Sequence, residues 1–151
     1  MDDALVENLL DRDWSPFCAQ AARLGFGQPT RSGTRIDLPL QPVGADQHFR
    51  AVLLCDGYDA QAPLLDFADP EDPGQLGAPF WPRMANAPMN SVPYDGRQLP
   101  FICTPGTRGY HLHPSHVAEH HARTTWRLAR VAGLLGMFLT TMGPYQGRGL
   151  R

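Results

Sequence analysis

Five of the six histidines in this 151-residue chain fall between positions 111 and 121, and Cys103 stands just before them. Imidazole and thiol are the side chains best suited to proton transfer, nucleophilic attack and metal binding near neutral pH. In Leu99-Pro100-Phe101-Ile102-Cys103-Thr104-Pro105-Gly106 the cysteine closes a short apolar run and enters a Pro/Gly turn. That pattern puts the thiol at the end of a strand, where a side chain is displayed on a rigid base. Two chemistries are open to the cluster. The first is a metal site, since zinc takes thiolate, imidazole and carboxylate ligands. His116 and His120, spaced i, i+4 on one helix face, with Glu119 and Cys103, are the metal candidates, and His111, His113 and His121 are in surplus. The run His116-Val117-Ala118-Glu119-His120 also has the H-x-x-E-H spacing of inverted zinc proteases. Those enzymes need a further acidic ligand downstream, and no Asp or Glu follows Glu119, so that match is set aside.

The second chemistry is nucleophilic. The reactive form is the thiolate, favoured beside polar or cationic groups. His111 and His113 follow Cys103 by eight and ten residues, and across the Gly106–Gly109 turn either can return to the sulfur. The plain alternative is that Cys103 is a small buried hydrophobe, the commonest fate of a free cysteine. His121 shares an apolar face with Val117 and Leu128 and reads as a core histidine, whereas His116 and His120 lie on another face.

The elements that position these residues read as one α+β domain over 1–151. Helical spacing of Leu5, Leu9, Leu10, Phe17 and Leu24 predicts a helix over 3–25, kinked or restarted at Ser15-Pro16 and ended by Gly25-Phe26-Gly27. Alternation predicts a strand at Arg35–Leu40, Phe49–Cys55 is the strongest strand candidate and Pro63–Phe67 a third short one, and their short connections make an antiparallel meander of three to four strands. From Asp69 to Pro100 seven prolines predict an irregular flap, anchored by Phe80 and Trp81. Apolar residues stepping by three or four from Val117 to Met142 predict a long C-terminal helix over 115–142, with Tyr145–Arg151 as a frayed tail within 143–151.

Composition narrows the function classes. The net charge is −2, so the basic excess of a general nucleic-acid binder is missing. The apolar stretch from Val131 to Met142 is short of the roughly 20 residues that cross a bilayer, which argues against a membrane protein. Three widely spaced cysteines with no C-x-x-C point to a reducing cytoplasm. All 13 basic residues are arginine. GC-rich codon usage accounts for that, although a carrier of activated acyl groups also avoids modifying itself when it has no ε-amines.

Helix, meander, Pro-rich flap, Gly-Arg-Gln-Leu-Pro-Phe-Ile-Cys (Gly96 to Cys103) and a terminal helix together resemble a ubiquitin-conjugating enzyme. Tyr58 to Phe67 is similar to that family's third strand, and His113-Pro114-Ser115 stands where its next helix begins. The His-Pro-Asn of the family is absent, and Asp95 occupies the position of that Asn, eight residues before Cys103. An ionised Asp cannot donate to an oxyanion as an Asn amide can. Cys103 with Glu119-His120-His121 also resembles a predicted metal-binding family of bacterial ubiquitin-like modification systems. The resemblance implies a cysteine carrier that takes a ubiquitin-like protein from an activating enzyme and passes it to an amine on a target protein. Cys103 would carry the acyl group, His111 or His113 would serve as base, and Asp95 would orient the histidine or the amine. Transfer of this kind requires no cofactor, and zinc belongs to the alternative reading.

Overall fold

In a computed structural model, which describes residues 2–42, 44–86, 90–141 and 143–149, the chain forms an α+β fold. Helix α1 spans Asp3–Arg23. The Asp2 side chain caps it by accepting the Ala4 N–H at 2.8 Å, and Val6, Leu10, Asp13, Phe17 and Ala21 form its buried stripe. The helix runs through Pro16 without restarting. It ends where Gly25, at φ 76°, lets Phe26 N–H and Gly25 N–H reach back to the Ala21 and Ala22 carbonyls.

Four antiparallel strands follow in spatial order: β1 (Thr30–Ser32), β2 (Arg35–Leu40), β3 (Phe49–Leu54) and β4 (Leu64–Ala68). The register Ile36↔Leu53↔Leu65 and Leu38↔Ala51↔Phe67 lays one apolar face toward the core, shared with α1 and with α3 (Leu128–Thr141). The opposite face carries charge. Asp37 is clamped by Arg35 and Arg50, and Asp66 accepts from Trp81 Nε1 and the Phe67 N–H at 2.8 Å each.

Three expectations need correction. The Pro-rich segment contains regular structure: β5 (Pro82–Met84), and a hairpin of β6 (Asn90–Tyr94) and β7 (Arg97–Phe101). Its prolines fit because Pro93 pairs with Gln98 and Pro100 with Ser91. A proline has no N–H to give its partner, so these are the pairs whose polar groups face the open edges, where proline also blocks further strand addition. The tail is not frayed throughout, since β8 (Tyr145–Arg148) pairs with β5. The long helix over 115–142 is only its second half, α3; residues 113–118 are turns, and a 3-10 turn occupies Arg123–Trp126. Between 115 and 124 Val117 is the one large apolar residue, and it is 62% exposed. A helix there would have no face to bury, and short helices do not stand on propensity alone. Met142 lies outside the described residues.

Candidate functional site

Cys103 is placed by what precedes and follows it. Strand β7 delivers Ile102 into the interior, 3% exposed. A tight turn, closed by Thr104 N–H to the Ile102 carbonyl at 2.7 Å, then throws Cys103 outward. The three thiols differ accordingly. Cys103 is exposed, Cys18 is half-buried with burial pushing its thiol up, and Cys55 is buried with its thiol pushed up to about 12. Directly after the turn comes α2 (Arg108–Leu112). It packs tightly on β7: a Cβ on Gly109 would lie 2.6 Å from the Pro100 carbonyl oxygen, so only glycine permits this approach. From α2, His111 reaches back, and its Nε2 accepts the Gly106 N–H at 3.2 Å. The chain between Cys103 and His111, read from the sequence as an open turn, ends in a helix, and the bond His111 makes there is to the Gly106 backbone.

Glu119 is the hub of the histidine segment. It accepts Tyr110 OH at 2.9 Å, its Oε1 lies 2.8 Å from His116 Nδ1, and its Oε2 lies 3.1 Å from His121 Nε2. Hydrogen bonds from His116, His121 and Tyr110, in that order, bring its carboxyl down to about 2. Rings stack around it: Tyr110 on His116 at 4.1 Å, Phe101 on His113 at 4.4 Å, and His111 edge-on to Trp126 at 4.8 Å. Burial, then His121, holds His111 below the usual imidazole range, favouring its neutral form. Burial raises Tyr110, followed by Glu119, and the Cys103 charge is also felt there.

The other predicted residues fall as follows. His113 accepts the Ser115 N–H on Nδ1 at 3.1 Å and keeps Nε2 outside that bond. Asp95, at φ 47°, is the first residue of the two-residue turn joining β6 and β7. Gly96, the five residues of β7 and Ile102 separate it from Cys103, with about 16 Å of strand in β7 alone. Asp95 is thus a turn residue, chosen for its tolerance of left-handed backbone, and it does not reach the thiol. His116 and His120 do not share a helix face, because no helix forms there; His116 binds the hub while His120 is exposed. His121 is on the hub and not in the core. Among the described residues, no group of three or more His, Cys, Asp or Glu side chains is disposed to hold a metal ion. His116 and His121 each commit one ring nitrogen to Glu119, and the other nitrogen of each ring lies outside those bonds.

Sequence reading did not single out Tyr110 and Arg108. Tyr110 had a signal only in hindsight, as the one aromatic between Cys103 and the histidines. Arg108 is 5% exposed and donates to the Ala62 carbonyl, Tyr94 OH and Asp56 Oδ1. Nothing in the pattern around it separates it from a surface arginine. Compared with known proteins, the sequence matches no family model and no curated protein.

Proposed function

We propose that this chain is the cysteine carrier of a bacterial ubiquitin-like conjugation pathway. The observation that carries the reading is Cys103 itself, the exposed thiol among three free cysteines, seated just past the end of β7. The order of α1, the four-stranded meander, the Trp81-anchored segment and the late cysteine supports it, as the element order of ubiquitin-conjugating enzymes.

In the first step the Cys103 thiolate attacks the activated C-terminal carbonyl of the ubiquitin-like protein held by its activating enzyme. The bond to the leaving group breaks and a thioester forms. In the second, an amine of the target attacks that carbonyl, the C–S bond breaks, the thiolate leaves and the amine proton passes to a base. The two histidines divide the work. His111 braces the turn through Gly106, and His113, with Nε2 uncommitted among the hydrogen bonds described, takes the proton. General-base help of this kind contributes about 10²–10⁴-fold. Asp95 has no part in the step.

The convergence of His116 and His121 on Glu119 favours a second reading, a zinc site that draws in Cys103 or His120. One experiment separates the two. Incubation with a ubiquitin-like protein, its activating enzyme and ATP is followed by intact-mass analysis with and without reductant, beside metal analysis of the purified chain. The carrier reading requires a reducible adduct, converted to a reductant-stable ester or lost in Cys103→Ser. No adduct, together with about one zinc per chain, establishes the zinc reading instead.

A further inference from the structure

A cavity of about 410 Å³ lies between the middle of α1 and the start of α3, lined by Asp13, Pro16, Thr124, Arg127, Ala129 and Arg130. Its volume is at the lower end of small-molecule sites, which span roughly 300–1,000 Å³. Cys103 does not line it, and the carrier chemistry makes no use of it. Its charge is unlike that of the chain as a whole, which carries a net −2: no Asp or Glu follows Glu119, whereas five of the 13 arginines do. Of the twelve arginines among the described residues, ten give their side chains to an acid, a backbone carbonyl or an amide oxygen. The two whose side chains have no such partner, Arg127 and Arg130, are three residues apart and line this same cavity.

The one acid in the wall does not answer them. Both Asp13 oxygens are held by Arg12 at 2.8 Å, and one of them also accepts Tyr58 OH. Arg127 acts on Asp13 only through space, without an ion pair. Each of the two guanidinium groups therefore keeps all five N–H donors for solvent or a ligand. Like charges side by side repel, and the walls of a concavity focus their field. A carboxylate engages one guanidinium fork and one charge, leaving the second arginine idle. A phosphomonoester matches both, with close to two negative charges at neutral pH and three strong acceptor oxygens to share between two forks. The Thr124 hydroxyl on the same wall supplies a further donor. The cavity is larger than a phosphoryl group, and Pro16 and Ala129 give the remainder an apolar lining for the organic part of an ester.

We propose that this cavity binds a small soluble phosphomonoester, its phosphoryl oxygens shared by Arg127 and Arg130 and its organic part against Pro16 and Ala129. The site goes beyond the carrier reading and stands or falls separately from it, because no step involves the thiol. The test is an NMR titration of the ¹⁵N-labelled full chain in a phosphate-free buffer at fixed ionic strength, following the backbone amide of Ala129. The probes are phenyl phosphate, inorganic phosphate, and succinate as a dianion without a phosphoryl group. Phenyl phosphate is expected to move the Ala129 signal saturably, with inorganic phosphate weaker and succinate weaker by at least about tenfold. Arg127→Gln and Arg130→Gln, both at exposed positions, should each weaken phenyl phosphate by about tenfold or more. Arg23→Gln, at an exposed position near the end of α1, should leave it unchanged. Phosphatidylcholine vesicles containing phosphatidic acid present the same phosphomonoester on a membrane, and the chain is expected not to sediment with them. The proposal is overturned if phenyl phosphate causes no saturable shift, if succinate binds as well, if the Arg127 and Arg130 variants bind phenyl phosphate undiminished, or if the chain sediments with the acidic vesicles through the same two arginines.

Discussion

The meander with its two helices and the segment from Phe101 to Trp126 are held together by different forces. In the first, polar groups are locked inside. Tyr58 OH donates to Asp13 at 2.5 Å and accepts the Leu128 N–H at 3.2 Å, tying α1 to the start of α3, and Asp66 is 1% exposed under Trp81. In the second, α2 is held by the buried Arg108 and by close packing on β7, and beyond it one exposed carboxylate and a set of ring stacks do the work. Buried hydrogen bonds are costly to break, because the surviving partner cannot turn to water. Exposed ones exchange with water at little cost. The fold therefore keeps its buried polar bonds in the scaffold and leaves those of the histidine segment at the surface.

The comparison breaks most visibly at Trp81. Trp81→Ala removes a fully buried ring and one of the donors to Asp66, and should cost about 3–5 kcal/mol in chemical denaturation, with the unfolding transition still cooperative. A loss under about 1 kcal/mol would mean that the flap is not part of the scaffold. Next come two glycines. Gly109→Ala drives a Cβ against the Pro100 backbone oxygen and should cost about 1–3 kcal/mol while displacing α2. Gly136→Ala meets only the Leu24 side chain, which can rotate away, so its midpoint should fall less. Equal effects in the two variants would show that α2 does not depend on close contact with β7.

Tyr58→Phe should cost about 1–3 kcal/mol by leaving Asp13 and the Leu128 N–H short of a partner. Acid sharpens the same contrast. Burial works against ionisation of Asp37, but hydrogen bonds from Arg35 and Arg50 outweigh it and hold its pKa below the ordinary range. A depressed carboxyl contributes stability that is present above its unfolded pKa, about 3.9, and is lost as pH falls through the folded value. Denaturation midpoints should decline below about pH 4, and Asp37→Asn should show a shallower decline. The smallest effect belongs to the histidine segment. Glu119→Gln should leave the midpoint in place while amide exchange across 113–122 accelerates. A lowered midpoint with unchanged exchange would place the hub in the scaffold.

Legibility in the sequence follows the same division. Leu10 and Phe17 on α1, and the alternation in β2, were readable because burial imposes periodicity on one chain segment at a time, whereas Leu5, read on the same helix face, is 49% exposed and Val6, passed over in the sequence, is buried. The β6–β7 hairpin was hidden because its prolines occupy edge positions that cost no ladder hydrogen bond, and proline density alone does not reveal which edge is open. Cys103 was legible from the apolar run before it and the turn after it. The hub was not. Glu119 meets Tyr110 and His121 through a chain path without regular structure, so no spacing rule applied, and the apparent helical periodicity of 115–124 rested on residues that the fold leaves exposed.

Native-state alkylation with limiting iodoacetamide, followed by peptide mapping, tests the central claim most directly. The account predicts that Cys103 is labelled first, Cys18 more slowly, and Cys55 only after unfolding. Protection of Cys103 in the folded chain would contradict it, whether the thiol stays unlabelled throughout or becomes reactive only once a chelator is added.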